Sequence, residues 1–279
     1  MAFSTPSLDE PHPEITEHSR INSVRVARAD QITLKQLRYR YPTRTPLTLQ
    51  AEIRQIEKCI ARGYKRLSLG KITDEVMCIA GFGPSLADTW REITHPCIST
   101  SGALDFLTER GFIPDYHAEC DGRDHKTKHL EHPPKETVYL MASVCNPLMW
   151  DQLEGREVRI WHTVGGEHVI QWIEANDPGG LAVAGGSVIG LTSIHLAGIM
   201  GYRKFRLFGF DGNFRGSGRH AGKHYGPVQK MIEHEAGGIR WRTTPQMLNA
   251  CEELLALRQN PELEIEVVGD SLMKSMMGN

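Results

Sequence analysis

Histidine, arginine, lysine and aspartate converge in one stretch, residues 209–226 (GFDGNFRGSGRHAGKHYG). A loop this long, polar and glycine-rich is typically a functional lid or an unstructured connection. His220 and His224 can each take a proton from a hydroxyl near neutral pH. Arg215, Arg219 and Lys223 can stabilise a departing phosphate. The stretch therefore suits group transfer from a phosphorylated donor. The two histidines are four residues apart but lie outside the helical metal-binding motif.

Three shorter turns could hold such a donor. Residues 81–86 read GFGPSL, a glycine turn between an apolar run and a helix start. Backbone N–H groups at that helix end, with Ser85, would attract a phosphate; the plainer alternative is a tight turn. A nicotinamide dinucleotide is not expected there. Leu86 stands where the fingerprint needs glycine, and the next strand ends in Ser99-Thr100-Ser101 without an acid. Gly185-Gly186-Ser187 is a second strand-to-helix turn, either an anion site or a point of close helix–sheet packing. Asp121, followed by Gly122, falls at a strand terminus. It could meet a ribose hydroxyl or a divalent cation, or be the acid of an Asp-Gly turn. His125 and His129 are expected on a solvated helix face, and His195 as a core histidine within an apolar helix.

These turns need a scaffold, and the pattern supplies one. From residue 75 onward, apolar runs alternate with helical periodicity. Strands are expected at 76–80, 97–100, 116–120, 137–142, 158–161, 181–184, 205–208 and 263–268. Helices are expected at 47–67, 85–93, 103–110, 147–153, 187–200 and 245–258. Continuous apolar strands are covered on both faces, which predicts a doubly wound, mostly parallel α/β sheet of Rossmann-like type with helices on each side. Ligands of such folds bind beyond the carboxyl ends of the strands, where every turn singled out above lies.

The chain has 279 residues and a mass of 31.3 kDa, enough for a sizeable core. Residues 1–45 read as a proline-containing arm and a basic irregular segment. Residues 46–279 read as one nucleotide-binding catalytic domain. A net charge of −2 speaks against a general nucleic-acid binder, which needs a basic field. The six cysteines form no CxxC pair and sit in apolar runs, as expected of reduced core residues in a cytoplasmic protein. The first twenty residues lack the apolar run of a signal peptide. Residues 181–202 carry no Asp, Glu, Lys or Arg, but the 185–187 turn divides them into a strand and a buried helix, so no integral membrane segment is expected.

Taken in order, GFGPSL (81–86), GFIPDYHAECDG (111–122), GGSVIGLTSIHLAGIMGYRKFRLFGFD (185–211) and RHAG (219–222) resemble one family. It spans motility-associated-factor (flagellin) glycosyltransferases and 6-hydroxymethylpterin diphosphokinases of the MptE-like type, with a core similar to that of bacterial sialyltransferases. The resemblance implies that Gly81, Gly83, Pro84 and Ser85 hold nucleotide phosphates. It places Asp121 by the ribose or a metal, and Gly186 and Ser187 in the same crevice. Asp211 matches an acid after the late strand, and His220 a histidine of the glycosyltransferase branch; in the sialyltransferase relatives a late histidine is the general base, a role open to His220 or His224. The implied activity is transfer of a sugar, of the nonulosonic type among others, from a CMP- or UDP-type donor to an acceptor hydroxyl, with no cofactor. The alternatives are a diphosphokinase using Mg2+ through Asp121 and Asp211, and a nucleotide-binding module without catalysis.

Overall fold

The computed structural model describes residues 25–27, 47–164, 167–183, 185–216, 218, 220–222 and 230–278. The elements follow in chain order. They are β1 (Arg25–Ala27), α1 (Leu49–Ala61), β2 (Lys65–Arg66), β3 (Val76–Ala80), α2 (Leu86–Thr89), β4 (Cys97–Thr100), α3 (Ala103–Thr108) and β5 (Tyr116–Glu119). Next come β6 (Val138–Ala142), α4 (Pro147–Gln152), β7 (Glu157–Thr163), α5 (Glu167–Asn176), β8 (Leu181–Val183), α6 (Ile189–Ile199) and β9 (Lys204–Phe208). The chain closes with β10 (Ile232–Ala236), β11 (Ile239–Thr243), α7 (Pro245–Leu257), β12 (Glu264–Val268) and α8 (Leu272–Met276).

Among the described residues nine strands lie side by side in the order β1-β8-β7-β6-β5-β4-β3-β9-β12, and β2 adds to β7. Every pairing in this sheet is parallel. The expected α/β sheet is therefore present. β10 and β11 form a separate antiparallel hairpin. From β3 the chain steps outward strand by strand to β8. α6 then carries it back to β9, on the other side of β3. The order reverses between β3 and β9, and ligands of open α/β sheets bind beyond the carboxyl ends of the strands at such a reversal.

Local chemistry explains the elements. β3 and β6 are almost wholly buried, as their unbroken apolar runs require, and β4 is buried with its Ser99 and Thr100 hydroxyls hydrogen-bonded. α6 packs over β3, β4 and β5, and every residue from Gly190 to Ile199 is buried. That position accounts for a helix apolar on all sides. His195 is buried within it, as expected of a core histidine. α7 starts at Thr244, whose hydroxyl accepts from Met247 N at 3.1 Å, with Pro245 at the first helical position. Trp150, Trp161, Tyr139 and Phe205 are the largest side chains in the core.

Several expectations need correcting. Residues 85–93 form one helical turn and a short 3-10 helix, not a full helix. Arg25–Ala27 joins the sheet edge beside β8, within the segment expected to be irregular. His129 is buried, not solvated, because its 3-10 helix (Asp124–Leu130) packs on α4. All six cysteines are free, and all but Cys120 are fully buried. Among the described residues no helix is long and apolar enough to cross a membrane.

Candidate active site

The β3 and β9 turns meet backbone to backbone. Gly81 N–H donates to Phe208 O at 2.8 Å, and Gly83 N–H to Gly209 O at 2.9 Å. Gly209 adopts φ +66°, and a Cβ there would lie 2.5 Å from Gly81 O. Gly83 faces the same junction: a Cβ on it would lie 2.1 Å from Asp211 Oδ2 and 2.5 Å from Gly209 O. No side chain fits at either place.

Asp211 reaches into the 81–85 turn. Both its oxygens lie 3.2 Å from Ser85 N, and Oδ2 accepts from Ser85 Oγ at 3.0 Å. Burial pushes the Asp211 carboxyl up to about 6, with the Ser85 bonds and the Arg215 charge pulling the other way. The N–H groups that follow Ser85 are also used. Those of Leu86, Ala87, Asp88 and Thr89 donate to the carbonyls of Gly83, Pro84, Ser85 and Ser85, and Pro84 has none. A phosphate on Ser85 N–H must therefore displace the Asp211 carboxylate.

The 185–187 turn repeats the arrangement with a different acid. Ser187 donates its N–H and hydroxyl to Glu253 Oε2 at 2.7 and 3.0 Å, and Asn249 Nδ2 donates to Oε1 at 2.8 Å. Burial raises the Glu253 carboxyl as well. A Cβ on Gly186 would meet Leu191 Cβ at 2.4 Å and Glu253 Oε2 at 2.9 Å.

Asp121 lies two residues beyond β5 and is held by Arg123, whose Nε donates to its two oxygens at 2.8 and 3.0 Å. β4 and β3 separate β5 from β9, so three inter-strand steps, ~14 Å, stand between the strands that carry Asp121 and Asp211. A magnesium ion holds its ligands at about 2.1 Å. The two acids, each engaged with a different partner, do not make one cation site in this arrangement. Among the described residues no three His, Cys, Asp or Glu side chains converge to hold a metal.

His220 stands over the β3 turn. Its ring stacks on Phe82 (centroids 5.3 Å apart, planes at 25°), and its Nδ1 lies 3.2 Å from Phe82 O. Arg215 pairs with Asp88 on α2. Arg219, Lys223 and His224 lie outside the described residues. The fold thus brings Gly81, Gly83, Pro84, Ser85, Asp211 and His220 together at the carboxyl ends of β3 and β9. It places Asp121 two strands away from β3, and Gly186 and Ser187 against α7.

Four neighbours were not singled out from the sequence. Phe82 sits inside GFGPSL, where the glycines drew attention. Glu119 ends β5 fully buried, and its carboxylate accepts from Ser101 Oγ at 3.3 Å and Cys120 N at 3.0 Å. Ser101 itself holds φ +48°, an uncommon conformation for a side-chain-bearing residue. Glu253 and Asn249 read only as positions on an amphipathic helix. Their i, i+4 spacing was the available signal.

A second polar chain lies toward the other side of the sheet. Ser143 Oγ contacts His162 Nδ1 at 2.7 Å, His162 Nε2 contacts Asp177 Oδ2 at 2.9 Å, and Arg66 Nε donates to Asp177 Oδ1 at 2.6 Å. Asp177 accepts, so Nε2 carries the proton and Ser143 donates to Nδ1. Ser143 and His162 are both fully buried, and burial lowers the His162 pKa. The order resembles a nucleophilic triad, but the serine is sealed from any substrate. It fastens β6, β7 and the turn after α5 together.

Comparison with solved structures finds the MAf glycosyltransferase from Magnetospirillum magneticum AMB-1, with a TM-score of 0.58 and 17% identity. The match covers 80% of this chain and 37% of that one, so the chain spans well under half the length of this neighbour. At that identity the likeness establishes the fold alone. No curated protein sequence matches the chain. The family model described as 6-hydroxymethylpterin diphosphokinase MptE-like matches residues 50–217, from the start of α1 to the loop after β9 and so more than half of the chain. The chain belongs to the 6-hydroxymethylpterin diphosphokinase MptE-like family.

Proposed function

We propose that the protein is a transferase that moves a sugar from a CMP- or UDP-type donor to an acceptor hydroxyl at the β3/β9 crevice. The observation that carries this reading is His220 seated on Phe82, above the turn that ends β3. A neutral imidazole there takes the acceptor proton. The acceptor oxygen then bonds to the anomeric carbon, and the carbon–oxygen bond to phosphate breaks with its electron pair on the phosphate. Gly81, Gly83, Pro84 and Ser85 form the donor-phosphate side, with Gly186 and Ser187 further along the same edge. Arg219 and Lys223, flanking His220 in sequence, stabilise the leaving phosphate; Arg215 is already committed to Asp88. The chemistry asks for no cofactor. The MAf neighbour is a glycosyltransferase, which agrees with this reading.

The family description favours a second reading, diphosphoryl transfer from ATP to a pterin-like alcohol. That chemistry uses Mg2+ to bridge the phosphates. Asp121 and Asp211 would have to leave Arg123 and Ser85 to serve it.

The test is release of CMP or UDP from activated sugars in the presence of EDTA. His220→Ala should lower turnover ~10²–10⁴-fold with donor binding nearly unchanged. His224→Ala is the comparison, and full activity in His220→Ala removes the base assignment.

A further inference from the structure

Phe82 receives two hydrogen bonds on one carbonyl. Ala221 N–H donates to Phe82 O at 3.0 Å, and His220 Nδ1 lies 3.2 Å from the same oxygen. A carbonyl only accepts, so Nδ1 is the protonated nitrogen. In the neutral imidazole the lone pair is then on Nε2, on the other side of the ring.

The Phe82 ring is itself fixed. It is buried and meets Phe106 edge-on, with centroids 6.5 Å apart and planes at 62°. The Arg110 guanidinium lies 3.6 Å over the Phe106 ring. A Cβ on Gly102 would come within 2.4 Å of Phe82 Cε1, and one on Gly222 within 3.3 Å of Phe82 Cζ. The shelf is packed on both sides, so the phenyl ring has little room to turn.

We infer that Phe82 is the positioning residue of the general base: its carbonyl sets the His220 tautomer, its ring sets where the imidazole stands, and Nε2 is the atom that takes the proton. The inference rests on the reading of His220 as base. It also gives the phenylalanine in GFGPSL a task separate from the glycines around it. The β3 turn then does two things, walling the donor crevice and orienting the base carried by a loop from β9.

The test is 15N NMR of histidine-labelled protein above the imidazole titration, with the His220 signals assigned by His220→Gln. The wild type should show Nδ1 protonated and Nε2 unprotonated. Phe82→Leu keeps the carbonyl but loses the ring that holds the imidazole against it, so the Nδ1 contact should be lost and His220 should move to a mixture of both tautomers. Phe82→Tyr keeps a ring and should restore the single form. A wild-type signal with Nε2 protonated overturns the inference without any variant having to fold, and so does an unaltered tautomer in Phe82→Leu. An Nδ1–H signature alongside a fully active His220→Ala protein overturns instead the base assignment beneath it.

Discussion

Asp211 occupies the 81–85 turn as the turn's own anion, with both carboxylate oxygens 3.2 Å from Ser85 N. The glycines there are explained by this contact: Gly83 leaves room for the Asp211 carboxylate and the Gly209 carbonyl. The arrangement satisfies the turn, but it buries a carboxylate whose pKa rises to about 6.

A stability consequence follows with a definite sign. Asp211 is raised from 3.8 in the unfolded chain to about 6 in the fold. Its contribution is fully present below pH 4 and is lost as pH rises through about 6. Asp211→Asn removes the titration while leaving an oxygen for Ser85 N. The stability of Asp211→Asn relative to wild type should therefore grow by on the order of 2–3 kcal/mol between pH 4 and pH 7. Urea unfolding at the two pH values measures it. A difference that stays constant with pH would mean Asp211 is not the buried acid described.

His162 should act in the opposite direction. Burial lowers its folded pKa below the ordinary 6.5, so the fold prefers the neutral ring. The stability it contributes is complete above pH 6.5 and is lost as pH falls through the lowered value. His162→Gln should be less stable than wild type at pH 8, and the gap should narrow toward pH 5. Melting curves across that range read the effect directly. A gap that widens on acidification would contradict the assignment.

Glu253 bears on ligand binding. It fills the Ser187 turn with a carboxylate, the charge a donor phosphate would bring. If Ser187 contacts the donor, Glu253→Gln lowers the competition, and CMP or UDP should bind up to ~10-fold tighter, about 1.4 kcal/mol. Isothermal titration separates the cases. Weaker binding would make Glu253 a ligand contact, and unchanged binding would place the donor away from this turn.

The legible parts of this protein are its local ones. Val76–Ala80 was readable to the residue because a strand covered on both faces leaves an unbroken apolar run. The β10–β11 hairpin was missed although it alternates. Its Ile232-Glu233-His234-Glu235 run is only partly buried and lies next to the polar loop, although Ile232, Ala236 and Trp241 pack against the core. α5 was missed: no element was expected between the strands at 158–161 and 181–184. At the candidate site, the sequence singled out Ser85, Asp211 and Ser187 but not their pairings. Asp211 is 126 positions from Ser85, and Glu253 is 66 from Ser187. Such contacts come from sheet order, which places β9 beside β3 and brings α7 onto the turn after β8. No spacing rule along the chain contains them.

The central claim, a nucleotide-sugar donor bound without metal at the β3/β9 crevice, is tested most directly by thermal unfolding with CMP, UDP and ATP, each in EDTA and in Mg2+. A ligand held only by the folded state adds about 2.7 kcal/mol at 100 times its Kd, enough to move the melting temperature by several degrees. The account predicts stabilisation by CMP or UDP in EDTA, with little further gain from Mg2+. Stabilisation by ATP alone, and only when Mg2+ is present, would contradict it and move the reaction to diphosphoryl transfer.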